Sequence, residues 1–385
     1  MTAEVVDTDG HGRAIRICLV GPSMDIVGGQ AVQVTRLLRR LRECVGLDVD
    51  FLPVNPRLPG PFRMLQRVKF IRTIATSIAY GASLLRRVRR YDVIHAFSAS
   101  YTSYLLAPLP ALLVARLFGK RIVLNYRSGE ATDHLRRSPL ARWTMRLADE
   151  IVVPSGYLVG VFAQFGLTAR AIVNFVDLDR IDHRVRTTIR PIFLSNRNLE
   201  PLYNVACTVR AFAIIQRDQP DARLTVVGDG SDRAALERLA RQLELRNVTF
   251  VGTIAPERMR EFYDAADVYL NSPAIDNMPN SIIEAYAAGL PVVTTNAGGI
   301  PYVVTHADTG FMVESDDHEG MARYALELIH VPERALVAVR ARDVCLRRYV
   351  WPAVAAEWES LYRGLTGVRI GTTPSASSLM ASESQ

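Results

Sequence analysis

The sequence predicts an α/β protein of two doubly wound parallel-sheet domains facing each other across a cleft, and three observations carry that expectation. Short apolar runs that read as strands alternate with longer amphipathic runs that read as helices, the pattern of repeated βαβ winding. That rhythm breaks once, in the charged and irregular stretch 177–190, and restarts at Pro191. A chain of 385 residues with 49% hydrophobic composition is long enough to give both halves a full core.

In the first half, strands are expected at 15–20, 48–54, 92–98, 121–127, 150–155 and 169–174. Gly28 and Gly29 separate the first strand from a helix at 30–44. Their missing side chains let backbone N–H groups approach a phosphate or an acceptor, or else simply make a tight turn. In the second half, strands are expected at 191–197, 224–228, 248–252, 268–270, 292–295 and 310–313, with helical runs at 332–348 and 351–366. The polar segment 1–13 and the tail 367–385, rich in Ser and Thr from Thr372, read as disordered.

The stretch 267–301 carries most of the chemistry. A strand ends in Asn-Ser-Pro, a polar loop holds Asp276, and a helix containing Glu284 is stopped by Gly289 and Pro291. Both carboxylates are expected near the carboxyl ends of parallel strands, where open α/β sheets bind ligands, and the free N–H groups near Asn280 and Ser281 suit a diphosphate. Carboxylates also accept paired hydroxyls of sugars and ribose. The local alternative is that Glu284 complements a helix dipole and Asp276 is an ordinary loop acid.

Charge is uneven. Residues 1–189 hold 27 Lys and Arg against 15 Asp and Glu, and residues 190–385 hold 19 against 24. The segment 51–91 contains nine cations and no acid, and apolar residues interleave with them from Phe62 to Ile74. Residues 57–90 are thus expected to meet an anionic membrane surface, each cation adding about 1 kcal/mol near the headgroups; a solvated helix face is the alternative. No nucleic-acid-binding motif accompanies the charge, so nucleic acid is not an expected partner. Four cysteines at 18, 44, 207 and 345 form no Cys-x-x-Cys pair and read as reduced thiols. No secretory signal and no uninterrupted spanning run is found, which gives a cytoplasmic expectation. No His, Asp and Cys cluster has metal-ligand spacing, so neither a metal nor another cofactor is expected.

The acid-x7-Glu spacing of Asp276 and Glu284, followed by Ala-Tyr-Ala-Ala-Gly-Leu-Pro-Val-Val and Gly298-Gly299, resembles the family-4 retaining glycosyltransferases. Further anchors in the same order are Gly28-Gly29, Ile-Val-Val-Pro-Ser at 151–155, Asn174, Arg197, Val-Gly-Asp-Gly at 227–230 and Val251-Gly252. The resemblance implies the GT-B fold of two Rossmann-like domains. An acceptor domain would span 14–189, a nucleotide-sugar domain 190–350, and a terminal helix at 351–366 would cross back to the first. It implies a hexose moved from a nucleotide-diphosphate sugar to a lipid-linked or polysaccharide acceptor, with retention, at the inner membrane face.

By the same resemblance, Glu284 would hold the ribose, Asp276 the donor sugar hydroxyls, and Asn277, Asn280 and Ser281 would serve sugar and phosphate. Gly228 and Gly230 would flank the base. The family's diphosphate is met by an Arg and by a Lys six residues later. Arg197 fits the first position, but Tyr203 stands at the second. Many relatives also place a His where this chain has Arg127, which is expected in the cleft as a replacement cation or else paired with Glu130 or Asp133. His95 and His134 are further cleft candidates with structural roles as the alternative. The competing functions are a sugar-nucleotide epimerase or phosphorylase of the same fold, and a non-catalytic nucleotide-sugar or glycan-binding protein.

Overall fold

A computed structural model of the protein describes residues 13–25, 29–58 and 69–367. The first half runs β1 (Ile15–Gly21), α1 (Gly29–Arg42), β2 (Leu47–Pro53), α2 (Lys69–Arg87), β3 (Val93–Ser98), α3 (Tyr101–Leu106), α4 (Pro108–Leu117), β4 (Arg121–Tyr126), α5 (Ala131–Arg137), α6 (Pro139–Met145), β5 (Glu150–Val153), α7 (Gly156–Gln164) and β6 (Arg170–Ala171). The second runs β7 (Ile192–Asn196), α8 (Val205–Asp218), β8 (Arg223–Val227), α9 (Arg233–Gln242), β9 (Val248–Gly252), α10 (Met259–Ala265), β10 (Val268–Asn271), α11 (Asn280–Ala288), β11 (Val292–Thr295), β12 (Phe311–Val313), α12 (His318–His330), α13 (Leu336–Arg348) and α14 (Trp351–Thr366).

Each half builds one six-stranded sheet whose named strands pair in parallel, in the orders β2-β1-β3-β4-β5-β6 and β12-β11-β10-β7-β8-β9. Strands covered on both faces must be apolar on both, which is why β3, β10 and β11 are buried along their whole length. The flanking helices need only one apolar stripe; α1 supplies Ala31, Val34, Leu37 and Leu41. In the second sheet the winding reverses between β7 and β10, and the crevice at that reversal is where such sheets bind ligands.

One expectation of the sequence is corrected here, and a second gains its physical cause. The strand expected at 169–174 is only two residues long, because the chain then leaves the sheet to meet the other half: the Asn174 amide faces Met278 Sδ and the Val176 amide donates to the Tyr349 carbonyl at 2.8 Å. The stretch 177–190, irregular in sequence, is held by the fully buried carboxylate of Asp267, which receives Arg184 at 2.5 Å and Arg190 at 2.7 Å. Burial works against that carboxyl's ionisation, but hydrogen bonds from Arg190 and Arg184 outweigh it and keep its pKa below the usual range.

After α13 the chain returns to the first sheet. Val354, Trp358, Leu361 and Tyr362 of α14 pack among Ile17, Leu19, Val34 and Phe97. Each large side chain so buried contributes about 1.5–3 kcal/mol of gross transfer energy, which ties the two halves together. No helix among the described residues is long and apolar enough to cross a membrane.

Candidate active site

The loop from β10 to α11 is held tightly on its own domain's side. A Cβ at Gly298 would collide with the Asp276 carbonyl and one at Gly299 with the Asn277 carbonyl, so only glycine permits this approach. The Gly299 amide donates to the Asp276 carbonyl at 3.0 Å. The helix that follows ends at Gly289, whose φ of +74° places it in the left-handed region and lets its amide cap the last turn.

Arg197 leaves β7 and Asp276 follows β10, the two strands flanking the reversal of winding. Their side chains form an ion pair, each 11% exposed. Arg197 Nη1 also donates to Ser281 Oγ at 3.3 Å, and its guanidinium stands 4.1 Å over the ring of Tyr203. Burial disfavours the arginine's charge, yet the facing Asp276 carboxylate outweighs this and raises its pKa above the usual value. Tyr203, at the position expected to hold a lysine, therefore lies beneath the neighbouring cation as a stacking platform. Burial raises its own phenol pKa, against the lowering effect of Arg197.

Glu284 sits one turn into α11 with both oxygens engaged. Arg36 Nη2 of α1 lies 3.0 Å from Oε1, and the Tyr263 hydroxyl donates to Oε2 at 2.9 Å. Arg36 also donates to the Phe175 carbonyl at 2.7 Å, and Gln33 Nε2 donates to Asn280 Oδ1 at 2.6 Å. Helix α1 of the first half thus closes onto α11 of the second. Between them lies a cavity of about 390 Å³, within the range that holds small-molecule ligands.

The sequence candidates divide by position. Gly29, Arg197, Tyr203, Gly228, Asn280, Ser281 and Glu284 line the cavity. Gly28 lies outside the described residues. Asp276 stands behind Arg197, and Asn277 turns to the seam, where its Nδ2 donates to the Arg127 carbonyl at 2.9 Å. Gly230 is needed for packing, since a Cβ there would strike the Leu199 carbonyl.

Arg127 departs from both expectations. Its guanidinium donates to Asn125 Oδ1 at 2.7 Å and to Asn174 Oδ1, neither lining the cavity nor pairing with Glu130 or Asp133. His95 is fully buried against Tyr362, and His134 is bonded to the Tyr126 hydroxyl at 3.0 Å, so both histidines serve the interior. The sequence reading missed Gln33, Arg36 and Tyr263. The first two follow Gly29 on the helix face that meets α11, and no local pattern separates them from other polar positions of α1.

The chain matches the family model Glycosyl transferases group 1 over residues 179–341 and Glycosyltransferase Family 4 over residues 27–180, so the two matches abut and span most of the chain. It is 25% identical to sulfoquinovosyl transferase SQD2 of Arabidopsis thaliana over 92% of this chain and 74% of that protein. It is 27% identical to a GDP-mannose-dependent alpha-(1-6)-phosphatidylinositol monomannoside mannosyltransferase of Mycobacterium tuberculosis, covering 77% and 83% of the two chains. Among solved structures, Anabaena Alr3699/HepE in complex with UDP and glucose superposes with a TM-score of 0.70 at 17% identity, covering 91% of this chain and 99% of that one. With the paired parallel sheets and the cleft between them, these matches establish that the chain belongs to the group 1 glycosyltransferases and has their two-domain GT-B fold.

Proposed function

We propose that the protein moves a hexose from a nucleotide-diphosphate sugar to a lipid-linked or polysaccharide acceptor, with retention of anomeric configuration and without a metal ion. The observation that carries this reading is the convergence of Arg197, Ser281 and the amino end of α11 at the sheet reversal, with Glu284 one turn further in. Breaking the bond from the anomeric carbon to the diphosphate places negative charge on the leaving phosphate. A preorganised guanidinium and free helix N–H groups meet that charge. Glu284 then takes the ribose hydroxyls, exchanging them for its contacts with Arg36 and Tyr263. Asp276 orients Arg197 and offers its remaining oxygen to the donor loop, where Asn277 N donates to Oδ1 at 2.7 Å. One similar protein is named for GDP-mannose and a phosphatidylinositol monomannoside, and another is seen in complex with UDP and glucose, which supports the donor and acceptor classes proposed.

Incubation with radiolabelled UDP-, GDP- and ADP-hexoses and a membrane lipid extract tests the reading. One donor is expected to label a lipid or glycan product that keeps the donor's anomeric configuration by NMR, at a rate unchanged by excess EDTA. An inverted product or loss of activity with EDTA contradicts it.

A membrane face is proposed on α2. Ile71, Ile74 and Ile78 are exposed at helical spacing, the last two 63% and 67% accessible, and Leu85 continues the stripe. The opposite face is anchored by Tyr80, whose hydroxyl donates to the Ala107 carbonyl at 2.7 Å. Exposed Arg72, Arg86, Arg89 and Arg90 flank the stripe. Arg57 pairs instead with Asp25 at 2.5 Å; Arg63, Arg67 and the Lys69 side chain lie outside the described residues. Sedimentation with vesicles is expected to show binding to phosphatidylglycerol-containing membranes, none to pure phosphatidylcholine, and about tenfold weakening in the Ile74→Asp, Ile78→Asp double variant. Equal binding to both vesicle types would remove the role of anionic lipid, and binding to neither would remove the membrane role.

A further inference from the structure

A continuous buried hydrogen-bond path joins the last helix to the donor loop. The Tyr362 hydroxyl of α14 lies 2.7 Å from His95 Nδ1, and His95 Nε2 lies 2.9 Å from Asn125 Nδ2. Asn125 Oδ1 accepts from Arg127 Nε at 2.7 Å, Arg127 Nη1 donates to Asn174 Oδ1, and Asn174 Nδ2 donates to the Met278 carbonyl at 3.0 Å. Tyr362, His95 and Asn125 are wholly buried, and Asn174 is 5% exposed.

Every link has a single consistent polarity. Arg127 only donates, so both asparagines must present their oxygens to it. Asn125 then presents its N–H to His95 Nε2, which must accept, and His95 Nδ1 carries the proton and donates to Tyr362. The histidine has to be neutral for this, and burial, followed by the charge of Arg127, pushes its pKa down to about 3. The path does not break by protonation in the ordinary working range of pH.

We propose that Tyr362, His95, Asn125, Arg127 and Asn174 are positioning residues that fix the loop 276–279 from the first domain, so that docking of α14 and closure of the cleft set the sugar end of the donor site. This rests on the reading of that loop as the donor loop. Two features carry it. The loop is gripped from its own domain by Gly298 and Gly299, and across the seam by this path and by the bond from Asn277 to the Arg127 carbonyl. Among the described residues no carboxylate lies within ion-pair reach of Arg127, whose burial pulls its pKa down to about 9. A buried guanidinium held by neutral amides is a costly element for stability alone. It is well suited to imposing direction, because it has five donors and no acceptor.

The nucleotide end of the site, at Glu284 and α11, has no link in the path. Loss of the path should therefore separate the two ends. Hydrogen exchange of the loop 272–282 is expected to quicken about tenfold in Asn174→Ala and Asn125→Ala, whose melting temperatures should fall by several degrees as Arg127 loses an acceptor, and a few-fold in Tyr362→Phe with little change in melting temperature. In the same variants, calorimetry is expected to show affinity for bare UDP, GDP or ADP within about twofold of the native protein. Affinity or turnover for the matching nucleotide sugar should fall about tenfold. Unchanged loop exchange in the folded variants overturns the proposal, as does an equal loss of nucleotide and nucleotide-sugar binding. If Asn125→Ala fails to fold, Tyr362→Phe removes a single oxygen and decides the matter alone. Absence of nucleotide binding by the native protein would refute the donor-site reading separately, because loop exchange is read without any ligand.

Discussion

Arg197→Ala lowers the rate of transfer by about 10²–10³-fold, the loss seen when one preorganised donor to a developing oxyanion is removed. The expectation is large because this guanidinium stands with Ser281 at the amino end of α11, whereas the other arginines of the cavity, Arg36, Arg39 and Arg180, are paired with Glu284, Asp177 and Glu257. The position six residues on holds Tyr203, which adds no charge, and Arg127 points into the seam between the domains. Arg197→Lys should recover only part of the rate, since an ammonium keeps the charge but cannot reach Asp276 and Ser281 together while stacking on a ring. The arrangement around Arg197 also makes a prediction for its platform: Tyr203→Phe keeps the ring and should stay within about twofold of native, whereas Tyr203→Ala should approach the Arg197→Ala loss. Steady-state kinetics with the preferred donor checks the series. A native rate in Arg197→Ala would mean that the leaving phosphate is stabilised elsewhere.

Glu284→Ala weakens nucleotide binding by about 10²-fold or more, because two hydroxyl hydrogen bonds to a carboxylate contribute about 3 kcal/mol or more. Its partners Arg36 and Tyr263 do not collapse with it. Arg36 keeps the Phe175 carbonyl at 2.7 Å, and the Tyr263 hydroxyl keeps Asn196 Nδ2 at 2.9 Å. The variant should thus fold, and the loss should report binding. Arg36→Ala provides the opposite control. It frees Glu284 from its cross-cleft partner, so bare nucleotide should bind no more weakly than to the native protein, and calorimetry on both variants separates the two roles. Weakening of equal size in Arg36→Ala would show that the cation itself touches the nucleotide.

The sequence carried the fold through its strands. Runs such as 93–98 and 292–295 are short, bounded and mostly apolar without strict alternation, and only a sheet covered by helices on both sides buries them along their whole length. The site was legible wherever its parts are local: Asp276, Glu284 and Gly289 fall within one loop and one helix, and their spacing fixes their relation. It was not legible where a contact joins distant segments. Arg36 meets Glu284 across 248 positions and Arg197 meets Asp276 across 79. The first pair depends on how two separately wound sheets are set against each other and the second on the strand order within the second sheet, neither of which a local period encodes. Arg127 shows the same limit. Its place at the end of β4 could be read, but its direction is decided by Asn125 two residues before it and by Asn174 on a later crossing of the chain. Helix α12 lies outside the sequence expectations, although its apolar stripe of Met321, Ala322, Ala325 and Leu328 is as regular as those of the two helices that follow it. The strand expected at 169–174 stops at Ala171 because the chain turns out of the sheet toward the other domain, where the Asn174 amide meets Met278 Sδ.

The central claim is that the cleft between α1 and α11 holds the nucleoside diphosphate of a sugar donor. Calorimetric titration of the native protein with UDP, GDP and ADP, alone and as their hexose conjugates, tests it most directly. One base is expected to bind selectively with micromolar affinity, in a way that Glu284→Ala abolishes and Asn174→Ala leaves intact for the bare nucleotide. Failure of every nucleotide and nucleotide sugar to bind, or binding that survives Glu284→Ala unchanged, would contradict it.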